Sequence, residues 1–433
     1  MKRFPNAINY NPRYSKVQPM AEHKKEEIKK EVPIQPIIEK PKVEIVEPKK
    51  ITSSPGLSTN MVDIIVAKVR REGIMKRAVR FGIVGLGQGG CRIAGEFEKL
   101  GYPTLAINTS EQDLNETPCK TKLAIGFNGA GKDLKMGGSA VNENRSKIMT
   151  AYQTSFPNID HALICAGSSG GTGGGGLQNI IDTLIDYKKP VGVITTLPLD
   201  SEDTRAKKNT LTVLNQLIKL NAEKKISPLI IVDNNKIEKK HPGLSTLMFW
   251  NKANEEVVKC FDLFNMLSAK STAYTSCDPA DYTKVLMSGG CMIFGNITIE
   301  EDIQVDTIAN AISRNIDSGL LAEGFNLVEA THAACMMVGN PGIMQKMPRA
   351  AEENAMSILM RTLGSGTVFR GVYALETFNG LEVFFMISGL GLPVPRIKTL
   401  IDSSKQEGAH LEKKAVQRTV DDIMKELNQE AEN

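Results

Sequence analysis

Ala166-Gly167-Ser168-Ser169-Gly170-Gly171-Thr172-Gly173-Gly174-Gly175-Gly176 is the stretch whose reading decides the fold. From Gly170 onward every residue but Thr172 is glycine. His161-Ala162-Leu163-Ile164-Cys165 before it reads as a short apolar strand. After it, apolar residues at 177, 180, 181, 184 and 185 recur at helical spacing. The run is therefore expected as a loop joining a buried strand to a helix N-terminus. Free backbone N–H groups and the helix dipole favour an anion there. Glycines leave no Cβ between the backbone and a phosphate. A flexible linker is the plain alternative, but linkers are seldom clamped between a strand and a helix.

Two more glycine clusters stand upstream in the same setting. The strand Val79 to Val84 runs into Gly85-Leu86-Gly87-Gln88-Gly89-Gly90-Cys91-Arg92, and a helix follows to about Leu100. A second strand, Lys122 to Ile125, leads to Gly126-Phe127-Asn128-Gly129-Ala130-Gly131-Lys132-Asp133, then to a helix including Arg145 and Ile148. In a parallel sheet such loops open at one edge, beyond the carboxyl ends of the strands. Their convergence suggests a polyphosphate ligand. The single GxxxxGK[ST] loop of a P-loop enzyme is absent from the sequence. Gly85-x-Gly87-x-x-Gly90 fits the dinucleotide fingerprint, which also wants a carboxylate at the tip of the next strand. Here Thr104 to Ile107 ends in Asn108-Thr109-Ser110, and Glu111 comes one step later. An NAD-dependent oxidoreductase is thus the weaker alternative.

Composition bounds the rest. The 433 residues suffice for two or three domains, with 41% hydrophobic and 24% charged residues. No apolar run reaches the roughly 18 residues of a membrane span, so no membrane insertion is expected. No apolar signal core stands at the start, and the seven cysteines show no CxxC spacing. A cytoplasmic protein with reduced thiols and no zinc site is expected. A net charge of +4 does not demand nucleic acid as a partner. Residues 1–58 combine mixed charge with repeated proline, a composition expected of a disordered arm. A helix is expected next, with Met61, Ile64, Ile65 and Val69 on one face.

The ordered series of motifs resembles the tubulin/FtsZ family of GTPases. Gly87-Gln88-Gly89-Gly90-Cys91-Arg92-Ile93 looks like the first nucleotide loop, and Ala106-Ile107-Asn108-Thr109 like the second, with Ser110 where FtsZ usually has Asp. Gly129-Ala130-Gly131 resembles the loop near the γ-phosphate. Ser169-Gly170-Gly171-Thr172-Gly173-Gly174-Gly175 resembles the signature loop of the family. The resemblance implies that Glu202 contacts the ribose and that Arg205 lies at the nucleotide or the contact edge. It implies that Asn234 reads the purine, for which an amide that donates and accepts is suited. Phe249 to Leu267 repeats apolar residues at three- and four-residue steps and would span roughly 30 Å. It resembles the central helix of the family, with Trp250 stacking on guanine and Asn254 bonding its edge. Trp250 as plain core is the alternative.

Ser276-Cys277-Asp278-Pro279-Ala280-Asp281 resembles the catalytic loop, with Ser276 where the family has Asn. Two carboxylates can orient and polarise a water. By resemblance, Asp278 and Asp281 act on the nucleotide of the next subunit, which ties hydrolysis to head-to-tail assembly. Their alternative role is to cap a helix. From about Gly290, strands at 291–295, 333–338, 367–375 and 383–390 and helices at 303–315 and 349–363 suggest a second α/β layer structure. Leu411 to Leu427 reads as an amphipathic helix before an acidic end, as in the plasmid and phage branches TubZ and PhuZ.

The expectation is an α/β protein: a Rossmann-like parallel-sheet GTPase domain, a long central helix and a second α/β activation domain. Its parts would be an arm (1–58), a GTP-binding domain with an N-terminal helix (59–248), the central helix and catalytic loop (249–289), an activation domain (290–402) and a C-terminal helix with acidic tail (403–433). The resemblance implies GTP/GDP and Mg2+ as cofactors and the chain itself as head-to-tail partner. It implies a cytoskeletal filament in a prokaryotic cytoplasm that positions or segregates DNA or phage cargo, with a DNA-binding adaptor as a further partner. A division ring of FtsZ type and a nucleotide-binding structural protein without turnover are the alternatives within that resemblance.

Overall fold

A strand that is apolar throughout, between two helix-forming segments, has one stable place, inside a sheet covered on both faces. The computed structural model describes residues 63–414 apart from 68, 71–75, 127, 300–301, 320–321, 365 and 377–379. In order, its first half holds β1 (Phe81–Leu86), α1 (Gly87–Lys99), β2 (Thr104–Asn108), α2 (Glu111–Glu116), β3 (Lys122–Ala124), α3 (Leu134–Glu143), α4 (Arg145–Ser155), β4 (His161–Gly167), α5 (Gly171–Ile185), β5 (Val191–Leu197), α6 (Thr204–Ala222), β6 (Leu229–Asp233) and α7 (Asn234–Lys240). The second half holds α8 (Thr246–Leu267), α9 (Pro279–Leu286), β7 (Cys291–Ile299), α10 (Thr307–Gly319), β8 (His332–Gly339), α11 (Pro341–Lys346), α12 (Arg349–Thr362), β9 (Thr367–Ala374), β10 (Leu381–Leu390) and α13 (Val394–Lys414).

The strands form one sheet in the order β3-β2-β1-β4-β5-β6-β7-β10-β8-β9. From β3 to β7 every pairing is parallel. β10 is antiparallel to both β7 and β8. Strand alternation divides the core. Val84, Ile164 and Ala166 face a cluster built with α3, α4, α5, α6, α10 and α12. Ile83, Leu163 and Cys165 face a second cluster built with α1, α8 and α9. Both clusters run past residue 290, because β7 hydrogen-bonds to β6 through Leu229↔Cys291 and Ile230↔Met292.

Several boundaries differ from expectation, each for a local reason. The central helix starts at Thr246, where Ser245 Oγ accepts from the Met248 N–H at 3.4 Å. The helix expected at 303–315 lies at Thr307–Gly319, because the Thr307 hydroxyl accepts from the Gln304 N–H at 2.9 Å and closes a turn first. Residues 63–67 and 69–70 are helical, and the buried residues are Ile65, Val66 and Val69 while Ile64 is 39% exposed. The expected face is therefore rotated, and Met61 lies outside the described residues. α13 begins at Val394, ahead of the boundary expected at 402, with Pro395 in its first turn, where the missing N–H costs nothing. The arm at 1–58 and the tail beyond 414 lie outside the described residues. All seven cysteines are free and buried. Among the described residues no helix is long and apolar enough to cross a membrane.

Candidate nucleotide site

The central strands β1 and β4 lie side by side; β1 runs directly into α1, and β4 reaches α5 through a short turn at Ser168, Ser169 and Gly170. α1 starts at Gly87 and α5 at Gly171, so the glycine stretches expected as loops are the first turns of helices. Glycine costs about 1 kcal/mol in a helix interior. Close backbone packing explains its retention: a Cβ on Gly175 would sit 2.1 Å from the Leu134 carbonyl oxygen of α3. Gly87 has φ +70°, and its Cβ would sit 2.7 Å from the Gly173 nitrogen. Neither helix has a side-chain cap. By contrast Ser110, Asp133, Asp203, Asp233, Ser245 and Asp278 each cap the helix they precede. The amides of α1 and α5 are thereby left for a ligand.

A cleft of about 480 Å³ opens at these two helix starts. Gly87, Gln88, Gly89, Asn108, Ala130, Gly131, Ser169, Gly170, Gly171, Thr172, Gly173, Glu202, Asn234, Trp250 and Asn254 all line it. Hydrogen bonds lock the walls together. The Thr109 and Thr172 hydroxyls meet at 2.6 Å. Asn209 Nδ2 donates to the Lys132 carbonyl at 2.9 Å and to the Ser169 carbonyl at 3.1 Å. Glu202 accepts from the Leu199 N–H at 3.2 Å and from the Ser169 hydroxyl at 3.4 Å. Asn108 is 2% exposed, yet its Nδ2 has no hydrogen-bond partner among the described residues. A buried donor lining a cleft of open amides fits an anionic, oxygen-rich ligand. Trp250 is half-buried and packs edge-on to Phe249, with centroids 5.0 Å apart. It lines the cleft and also touches the core.

Other expected residues lie elsewhere. A Cβ on Gly90 would sit 2.0 Å from the Cys165 carbonyl oxygen, and one on Gly174 would sit 2.6 Å from that of Ser168. Gly90 serves helix–strand packing, and Gly174 lets α5 pack against the turn at Ser168 and against Leu134 and Val213 of neighbouring helices. Cys91 points away from the cleft, donating through Sγ to the Gly85 carbonyl at 3.4 Å, and burial pushes its thiol up. Arg205 is half-exposed and pairs with Asp133 at 3.6 Å, outside the cleft lining. Asp278 and Asp281 are outside the cleft lining. Asp278 caps α9, accepting from the Ala280 N–H at 2.8 Å and the Asp281 N–H at 2.9 Å.

The sequence reading gave no role to Asp113, Asn128 and Lys132, nor to Arg92 within the first loop, and all four line the cleft. Arg92 is one turn beyond Gln88 on α1, a spacing that puts both on one helix face. Asp113 accepts from Gln88 Nε2 at 3.0 Å. Lys132 has φ +58°, and its Nζ lies 2.6 Å from Asp203. Its signal was a cation beside a glycine turn. The Met136 and Lys135 N–H groups hold the Asp133 carboxyl below its usual range. Lys132, then the Ala206 N–H, do the same for Asp203.

Comparison with known proteins agrees with this fold. Residues 80–241 match the model of the tubulin/FtsZ family GTPase domain. Residues 263–400 match the C-terminal domain of the tubulin/FtsZ-like protein TubZ-like. The tubulin-like protein TubZ of Bacillus cereus is 25% identical over 293 residues, covering 61% of this chain and 67% of that protein. The tubulin-like protein CetZ of Pyrococcus horikoshii is 24% identical over 323 residues, covering 71% of this chain and 85% of that protein. A GTPγS-form protofilament of Bacillus thuringiensis serovar israelensis TubZ has the same fold, with a TM-score of 0.72 at 19% identity over 82% of this chain and 98% of that chain. The chain belongs to the tubulin/FtsZ family.

Proposed function

We propose that this protein binds GTP in the cleft between α1 and α5 and hydrolyses it on assembling head to tail with copies of itself. The observation that carries the reading is a separation of parts. The cleft has uncapped helix amides, while Asp278 and Asp281 lie outside it. The two carboxylates that do line it, Glu202 and Asp113, are engaged by Leu199, Ser169 and Gln88. The water-polarising pair would come from the next subunit, a heterologous contact that does not close. The α1 and α5 amides and Asn108 would hold the phosphates, Asn234 and Asn254 the guanine edge, Trp250 its face and Glu202 the ribose. Mg2+ would arrive on the phosphate oxygens, the usual mode for this ion. Protofilaments of the TubZ neighbour support the assembly mode.

The match of residues 263–400 to a TubZ-like domain favours a cytoplasmic filament that segregates DNA or moves phage cargo through an adaptor. Imaging of the tagged chain tests this: filaments moving with a plasmid or phage focus support it, and a midcell ring overturns it. The chemistry is tested with Asp281→Ala. This variant should bind GTP as wild type does and pellet as longer-lived filaments. Its phosphate release should fall about 100-fold, the scale of a lost general base. A variant that releases phosphate at the wild-type rate would remove Asp281 from the mechanism.

A further inference from the structure

The purine end of the cleft is held from behind by the C-terminal segment. α7 begins at Asn234, which lines the cleft, and is capped by Asp233, whose Oδ1 accepts from the Asn235 N–H at 3.1 Å. Asn235 Oδ1 accepts from the Asp200 N–H at 2.9 Å, joining α7 to the loop that carries Glu202. Arg396, in the first turn of α13, reaches into this junction. Its Nε donates to Asp233 Oδ2 at 3.0 Å, Nη1 to Asp200 Oδ1 at 2.5 Å and Nη2 to the Pro198 carbonyl at 2.7 Å. The Arg396 side chain is 7% exposed and that of Asp233 2%, so this pair is desolvated. Burial pushes the Asp233 carboxyl up, and Arg396 opposes that push. A second tie runs from α7 to the connection between α10 and β8: Lys236 and Lys239 reach Glu323 at 3.1 and 3.2 Å. Arg396 itself does not line the cleft.

We propose that Arg396 is a positioning residue for base recognition. Its guanidinium sets the register of Asn234 against Glu202, so nucleotide affinity depends on how the start of α13 is seated. The proposal rests on the reading that the cleft takes a guanine nucleotide. The planar fork suits the task because three acceptors on two segments are met at fixed angles, which a lysine ammonium does not reproduce.

The test is equilibrium titration of GDP into the full-length protein, below its assembly concentration, with thermal melts alongside. The variants are Arg396→Lys, Asp200→Asn, Asn234→Ala and the Arg396→Lys/Asn234→Ala pair. Arg396→Lys should weaken GDP binding about tenfold, the scale of a lost charge-assisted hydrogen bond, while still melting cooperatively. Asp200→Asn removes only the half-exposed arm and should cost about threefold. If Arg396 acts through Asn234, the double variant should bind within about twofold of Asn234→Ala alone. A merely structural role would make the two losses additive. Wild type that binds no GDP, or Asn234→Ala that binds it unchanged, overturns the cleft reading and the proposal with it. With those two controls as expected, unchanged affinity in Arg396→Lys or full additivity overturns the Arg396 assignment alone. If Arg396→Lys does not fold, Asp200→Asn decides: weakened GDP binding supports the proposal, and unchanged affinity overturns it.

Discussion

Two helix N-termini in this molecule have opposite characters. α5 begins at Gly171 behind Gly170, which offers no side chain, and its start lines the cleft. α9 begins at Pro279 behind Asp278, whose carboxylate accepts from two of its amides, outside the cleft. The backbone dipole is the same at both ends, so the capping residue decides the outcome. Where the cap is glycine, positive potential stays open to a ligand. Where the cap is Asp, the amides are satisfied and an exposed carboxylate rim remains. An open positive end and a carboxylate-rimmed end are complementary, and this complementarity is what the proposed head-to-tail contact between copies of the chain rests on.

The largest expected effect comes from giving α5 its own cap. Gly170 has φ −83° and ψ 157°, ordinary for a capping Asp, and a Cβ there would meet nothing within 4 Å. Gly170→Asp should therefore fold at least as stably as wild type. Its carboxylate would occupy the α5 amides and repel phosphate, lowering GDP affinity roughly 100-fold, since like-charge juxtaposition costs several kcal/mol. Gly170→Ala is the control and should change affinity by less than about threefold, because alanine is a poor cap. Titration of a fluorescent guanine nucleotide measures both. Undiminished affinity in Gly170→Asp would show that α5 does not seat the anion.

The converse change acts on α9. Asp278→Asn keeps a good cap and removes the charge, whereas Asp278→Ala removes both. Phosphate release should fall about tenfold or more in each, while only the alanine variant loses about 1 kcal/mol in denaturant unfolding. If the asparagine variant turns over normally, Asp278 is a cap and nothing more.

The parallel half of the fold was legible in the sequence because its signals are local. A strand such as Phe81–Leu86 is apolar throughout, and each glycine cluster marks the strand end beside it. Most of the cleft was legible for the same reason, since Ser169 to Gly173 and Gln88 to Gly89 sit where a strand ends. The start of α5 at Gly171 was not legible. Glycine propensity argues against a helix, and only the approach of α3, with Leu134 against Gly175, overrides it. Arg396 was invisible because its partners lie 163 and 196 positions away. Arg92 and Lys132 carried a signal in hindsight, as cations within one turn of a glycine, but that signal does not tell cleft from rim.

The smallest expected effect lies at a third helix start that falls between the two extremes. α6 is capped by Asp203, which also holds Lys132 of the cleft wall at 2.6 Å. Both side chains are about half exposed, at 58% and 41%, so the pair is worth less than about 1 kcal/mol. Lys132 and the Ala206 N–H depress the carboxyl of Asp203. Its stabilisation is therefore present above the unfolded value of about 3.9 and is lost as pH falls through the lower folded value. Asp203→Asn keeps the cap and frees the lysine. Its unfolding midpoint should fall slightly at pH 7, and the difference from wild type should shrink away in acid as pH falls through the lowered folded value. Freed from its carboxylate, Lys132 can turn toward the open end of α5, so GTP should bind no more weakly and up to about threefold more tightly, the gain shrinking in 1 M salt. A variant that instead loses GTP affinity would mean that the pair itself, rather than the bare helix start, shapes the phosphate end of the cleft.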